Sequence, residues 1–242
     1  MLKIEHIEVF NFEGAIRGMR NPMNSWDKSD STFLPVYAPP AKYIPEIGPA
    51  DLALMRKLCR AGSDHRKFMR QIMVSMDITA PLYWWKEADQ YKVGTTTNSC
   101  STMHRIHAKE FVLDDFSHDR IAGGYLETLN LVIGMLNYAR RRYLETGEKC
   151  HWNAMIQLLP ASYNQRRTVT LNYEVLLNMY HARRNHKLDE WHVLCDAIEQ
   201  MPYFREICLN NCATCAHHDR DRGEFPCSEC DHTRNMYIVK ED

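Results

Sequence analysis

No apolar run in the chain approaches the roughly 18 residues that a membrane-spanning helix needs, and residues 1–14, MLKIEHIEVFNFEG, carry charges where a secretion signal needs an apolar core. A cytoplasmic protein is the expectation. Charge bias is lacking too: 30 Lys and Arg against 31 Asp and Glu leave a formal net charge of -1. That balance excludes a general polyanion binder and confines any nucleic-acid contact to local runs such as Arg140, Arg141 and Arg142. Internal repeats and low-complexity segments are absent. An even cysteine count is missing as well: nine cysteines without a secretion signal fit thiols and metal ligands better than a disulfide framework. What is present, 242 residues with 45% hydrophobic content, suffices for one large domain or two modest ones with a buried core.

Apolar and polar positions alternate over residues 1–12 (Ile4, Ile7, Val9, Phe10), predicting an edge or half-buried strand followed by an irregular segment. Six prolines between residues 21 and 49 predict a long loop able to cover a site. Helical spacing predicts a short helix over 50–61 (Leu52, Leu54, Met55, Leu58), ending at Gly62, whereas 68–78 reads as a buried strand or helix broken by Pro81. Further helices are predicted over 123–145 (Leu126, Leu129, Ile133, Leu136), 171–183 (Val175, Leu176, Met179) and 189–201 (Trp191, Leu194, Ile198). The class is therefore mixed α and β, helix-rich. Composition shifts near Phe204 to Cys208, dividing the chain into 1–206 and 207–242.

In the second part Cys212 and Cys215 form one CxxC pair and, after eleven residues, Cys227 and Cys230 form another. Two tight turns that each present two thiolates complete a tetrahedral four-sulfur shell suited to Zn2+. Four sulfurs leave no open position for water, so the expected ion is structural, in a small knob or docking module. Cys208, His217, His218 and His232 are alternative or supporting groups.

Residues 91–104, YKVGTTTNSCSTMH, gather weak helix formers directly after Trp84 and Trp85. Small hydroxyl residues around Gly94 suit a loop whose backbone N–H groups face a phosphate or the polar edge of a cofactor, against an aromatic wall. They equally suit a capped turn. Cys100, without a visible base partner, reads as a small packing residue rather than a nucleophile.

The segment TAPLYWWKEADQYKVGTTTNSCSTMH resembles the signature region of the flavin-dependent thymidylate synthases, which has an Ala-Pro start, an Arg-Gln pair and the motif RHRxxSxNExSxRY. Ala80 and Pro81 match the start, Lys86 and Glu87 take the Arg-Gln places, Lys92 takes the second Arg of RHR, and Thr95 the first Ser. After one inserted residue, Asn98 and Ser101 match outright. Gln90, Tyr91, Ser99, Met103 and His104 depart from the motif. A second stretch in the same order, LPASYNQRRTVTLNYEVLLNMYHAR, matches at Leu159, Pro160, Asn172, Leu176, Asn178 and Arg183. With one deletion, His186 and Glu190 then fall on the His and Glu of the family's HAQxE segment.

This resemblance implies the family's α/β fold with a central sheet, a homotetramer, and FAD and nucleotide bound where subunits meet. It places Asn172, Asn178 and His186, together with Lys92, Thr95 and Asn98, at the flavin. Ser101 and Glu87 fall by the nucleotide, and Arg183 grips the pyrimidine. The implied reaction is reductive methylation of dUMP to dTMP, with methylenetetrahydrofolate as carbon donor and NADPH recharging the flavin. A fixed bidentate cation beside a uracil carbonyl would stabilise charge developing on the ring, so Arg183 is the candidate catalytic residue, with Ser101 beside it. Three family arginines are replaced, by Met103, Ile156 and Glu174; Arg166, Arg167, Arg184 and Lys92 are candidates to rebuild a phosphate pocket. The alternatives are a catalytically inactive flavin- or nucleotide-binding homologue that docks through its zinc knob, and a nucleic-acid-associated base modifier.

Overall fold

The computed structural model describes residues 2–33 and 45–209. Its centre is a four-stranded antiparallel sheet in the order β1-β2-β4-β3, formed by β1 (Lys3–Phe10), β2 (Met73–Pro81), β3 (Thr96–Ser99) and β4 (Asn164–Asn172). β2 and β4 pair over nine residues, from Met73 opposite Asn172 to Pro81 opposite Asn164. β1 is an edge strand, as its alternation predicts; its register slips between Glu5 and Glu8, where His6 takes a positive φ of 54°.

Along β2 the alternate residues Val74, Met76, Ile78 and Ala80 are buried. They join α1 (Phe12–Arg20), α2 (Pro49–Arg60), α6 (Tyr173–Arg183) and α7 (Asp189–Glu199) in one core that includes Phe68, Met69, Trp84, Trp191 and Phe204. The other positions of the strand pair stay polar: Asp77 accepts hydrogen bonds from Arg166 and from Thr168 Oγ1, both at 2.5 Å. α3 (Leu82–Ala88) leaves the sheet directly after Pro81. A second, separate core lies between α4 (Gly124–Thr146), α5 (Lys149–Gln157) and the connection before α4: Ile106, Phe111 and Phe116 pack with Leu129, Ile133, Leu136 and Met155. Asn137, buried in mid-helix, is satisfied by donating to Phe111 O and accepting from Phe111 N, both at 2.8 Å, which ties that connection to α4.

The helices expected over 50–61, 123–145 and 189–201 are present within a few residues of their predicted ends. Residues 68–78 divide into a 3-10 turn (Lys67–Arg70) and β2, and the helix predicted from residue 171 starts at Tyr173, because Leu171 and Asn172 still belong to β4. α1 stands where an irregular segment was expected, and α5 and β4 are further elements that periodicity did not reveal. Within the proline-rich stretch, Asp51 anchors the chain between Ser29 and Ser31: its fully buried carboxylate accepts from Arg20 Nε at 2.6 Å, Ser29 Oγ at 2.7 Å and Ser31 Oγ at 2.7 Å. Phe204, Ile207 and Cys208 are buried in the main core. The zinc set Cys212, Cys215, Cys227 and Cys230 lies outside the described residues. Among the described residues no helix is long and apolar enough to cross a membrane.

Candidate functional site

Three side chains spaced four residues apart, Tyr83 and Glu87 on α3 and Tyr91 just beyond it, point toward the corner where α6 ends and α7 begins. There Arg183 donates from Nε to Tyr91 Oη at 3.0 Å and from one terminal nitrogen to Glu87 Oε2 at 2.9 Å. Its guanidinium carbon lies 4.8 Å from the centroid of the Trp191 ring and 5.7 Å from that of Tyr91. Two hydrogen bonds and two aromatic faces thus fix both position and plane of the cation. Trp191 is itself immobilised: it is fully buried, packs at 4.7 Å on Trp84, and donates from Nε1 to the same Glu87 oxygen at 3.1 Å. His186 Nε2 lies 3.3 Å from that oxygen. Glu87 Oε2 is therefore a hub for three groups, whereas Oε1 has no hydrogen-bond partner among the described residues. The side chains of Arg183 and Glu87 remain 20% and 35% exposed, so a donor and an acceptor stand side by side within reach of a ligand. One turn back on α3, Tyr83 donates to the buried carboxylate of Glu190; burial, reinforced by this carboxylate, pushes the phenol well above its ordinary pKa and keeps it protonated.

The structure thus brings Glu87, Arg183 and His186 together, and places the expected Ser101 elsewhere. Ser101 Oγ accepts from His104 N at 2.9 Å in the loop after β3. That loop is tied to the other flank of α3: Gln165 Nε2 donates to Cys100 O at 2.8 Å and Trp85 Nε1 to Gln165 O at 2.9 Å. Within one chain, Ser101 exchanges no hydrogen bond with Glu87 or Arg183.

Of the expected flavin contacts, Lys92, Asn98 and Asn178 are exposed, and Asn178 Oδ1 accepts from Arg66 at 3.5 Å. Thr95 keeps a buried hydroxyl without a partner. These amides, a hydroxyl and an ammonium are the donor chemistry that a pyrophosphate and the polar edge of FAD require. Asn172 is already employed, capping α6 by accepting from Val175 N at 3.1 Å. Its amide nitrogen lies only 3.0 Å from where a Cβ at residue 94 would stand, and with φ at 76° that position requires glycine. The tryptophans expected to wall a ligand are core residues: Trp84 is 1% and Trp85 3% exposed, one covered by Trp191 and the other by the Arg167 guanidinium at 4.2 Å.

The arginines proposed to rebuild a phosphate pocket are partnered. Arg166 pairs with Asp77 at 2.5 Å, Arg167 with Asp89 at 2.7 Å, and Arg184 with Glu199 at 2.8 Å. Glu174, standing where the family has an arginine, is buried against Arg66 at 2.8 Å. Sequence reasoning missed Tyr83, Tyr91 and Trp191; the spacing of four from Tyr83 through Glu87 on α3 to Tyr91 in the turn after it is the signal that connects the two tyrosines with Glu87.

No family model matches the chain, and no curated protein matches it. Solved structures do. Thymidylate Synthase X from Helicobacter pylori, determined with FAD and dUMP, superposes with a TM-score of 0.62 at 13% identity, covering 89% of this chain and 100% of that one. A second structure of the Helicobacter pylori flavin-dependent enzyme, also with FAD and dUMP, gives 0.61 at 14% identity over 87% and 98%. A UMP/dUMP methylase, PolB, from Streptomyces cacaoi with 5-Br dUMP gives 0.54 at 14% identity over 83% and 88%. The chain therefore has the fold of the flavin-dependent thymidylate synthases.

Proposed function

We propose that this protein is a flavin-dependent enzyme that reductively methylates a pyrimidine deoxynucleotide, converting dUMP to dTMP or performing a related one-carbon transfer, and that it works as a homotetramer. The observation that carries the reading is the fixed guanidinium of Arg183, held by Glu87, Tyr91 and Trp191 in a chain with this fold. An oriented, stacked cation with a neighbouring acceptor suits the carbonyl and N–H edge of a uracil. It would stabilise negative charge that develops on the ring as C5 attacks the one-carbon unit, and its rigidity would avoid reorganisation at that moment. Methylenetetrahydrofolate is the proposed carbon donor, and NADPH the reductant.

The donor set of Lys92, Thr95, Asn98 and Asn178, with His186 at the Arg183 corner, would hold FAD. When bound and reduced by NADPH, the flavin would supply a hydride. Asn172 caps α6, the helix that carries Asn178. Ser101 would reach a nucleotide bound by a neighbouring subunit, consistent with its separation from Arg183 in one chain. One observation favours a second reading, a flavin- or nucleotide-binding protein without turnover that docks through its cysteine-rich module: Arg166, Arg167 and Arg184 are all engaged with carboxylates.

Anaerobic incubation with dUMP, methylenetetrahydrofolate, NADPH and FAD, followed by product mass, decides between them. A 14 Da gain on the nucleotide, roughly one CH2, is expected for catalysis. Flavin or nucleotide bound at about one per subunit with no mass change would support the second reading, and neither flavin nor nucleotide bound would refute both.

A further inference from the structure

The turn joining α4 to α5 carries a cluster that takes no part in the site above. Glu148, the N-cap of α5, with Cys150 and His151 in its first turn, brings a carboxylate oxygen, a thiol sulfur and an imidazole nitrogen within 4.8 Å of one another. Cys150 Sγ lies 3.6 Å from Glu148 Oε2, and His151 Nε2 lies 3.6 Å from the same oxygen. A tetrahedral zinc with bonds of about 2.0–2.3 Å requires its donors to stand about 3.3–3.8 Å apart, so two edges of the triangle already have the length that zinc imposes. Glu148 and Cys150 are exposed, and among the described residues their side-chain acceptor and donor engage no side chain outside the trio.

We propose that Glu148, Cys150 and His151 form a binding site for a zinc-class divalent cation, with its fourth position open to solvent. The donor chemistry selects the ion: a thiolate and an imidazole favour Zn2+ and Co2+ over Mg2+ and Ca2+, which prefer all-oxygen shells. The charges match, since a thiolate and a carboxylate neutralise the divalent ion while the imidazole stays neutral. A helix N-terminus alone opposes a cation, but here the C-terminal end of α4, closed by Gly147 at φ 72°, meets the start of α5, and the two opposite end charges offset each other. Binding transfers the thiol proton to solvent, so the site weakens as pH falls. Its three residues are other than the four cysteines of the two CxxC pairs.

The test is titration of the reduced, metal-free full chain with Co2+, following the thiolate-to-cobalt charge-transfer absorption. The wild-type chain should take up one more equivalent than Cys150→Ser or His151→Ala, and Cys227→Ser should retain that equivalent. Zn2+ should displace the cobalt, whereas a hundred-fold excess of Mg2+ should not. Circular dichroism should be unchanged in Cys150→Ser, whose side chain is exposed, and should show the fold retained in His151→Ala, whose imidazole is half-buried. Cobalt uptake by Cys150→Ser and His151→Ala equal to wild type, or ready displacement by Mg2+, would overturn the proposal and leave a surface hydrogen-bonding trio.

Discussion

Replacing Glu87 by alanine removes the oxygen on which Arg183, Trp191 and His186 converge, and the cost follows from what each is left with. Trp191 is fully buried, so its indole N–H, deprived of its acceptor at 3.1 Å, loses its protein partner; that loss costs about 2 kcal/mol. The Arg183 pair is partly solvated, with Glu87 35% exposed, and its loss adds only about 1 kcal/mol. The sum, about 3 kcal/mol, corresponds in a chain of this length to a Tm lower by about 6–12 °C. Glu87→Gln separates the two contributions. Its amide oxygen can still receive the Trp191 N–H while the charge is gone, so the loss should shrink to about 1 kcal/mol and about 2–4 °C. Calorimetry on the purified variants reads both. Equal losses for the two substitutions, or an alanine variant as stable as wild type, would refute the view that one carboxylate oxygen organises this corner.

Arg183→Ala should reduce product formation by about a hundred-fold or more, as expected when an oriented charge-stabilising donor is removed, while Glu87 still satisfies Trp191 and thermal unfolding moves by only a few degrees; product mass against time measures it. Asp51→Asn should cost about 3 kcal/mol in urea unfolding at neutral pH by stranding buried Arg20. Burial pushes the Asp51 carboxyl up, but hydrogen bonds from Ser31, Ser29 and Arg20 outweigh it and hold the group below the usual carboxylate range. Because the folded value lies below the unfolded one, this stabilisation is complete above the ordinary carboxylate range and lost as pH falls through the folded value; the Asn variant should lack that part of the acid sensitivity. Cys227→Ser should lower the zinc content measured by mass spectrometry of the intact protein, and an unchanged content would remove it from the four-cysteine set.

Helices with strong apolar periodicity were legible in the sequence because burial writes itself on one face: Met55 in α2, with Leu52, Leu54 and Leu58 partly buried against the same core, and Leu129, Ile133 and Leu136 in α4. α1 was not, since its nine residues include two glycines of low helix propensity, Gly14 and Gly18. A Cβ at either would approach Asn11 Oδ1 to 2.4 Å or Gln71 Oε1 to 2.3 Å, the ends of flexible side chains that would have to shift. β4 was hidden for a different reason: Arg166 and Thr168 bond to Asp77 on the neighbouring strand β2, and Arg167 pairs with Asp89 at the end of α3, contacts that no local pattern shows. At the site, Arg183, Glu87 and His186 could be marked by position in a motif. That Glu87 receives the Trp191 indole, and that Trp85 is spent beneath Arg167, depends on contacts between residues far apart in the chain, which no local pattern records.

The main core and the α4–α5 core bury separate sets of side chains. A chain divided in this way can breathe in stages, since the α4–α5 layer can loosen at the cost of its own few aromatic and aliphatic contacts while the strands stay shut. Amide protons of α4 and α5 should therefore trade with solvent deuterium well ahead of those in β2 and β4. Whatever leans on that layer would then act on the part of the molecule that yields first.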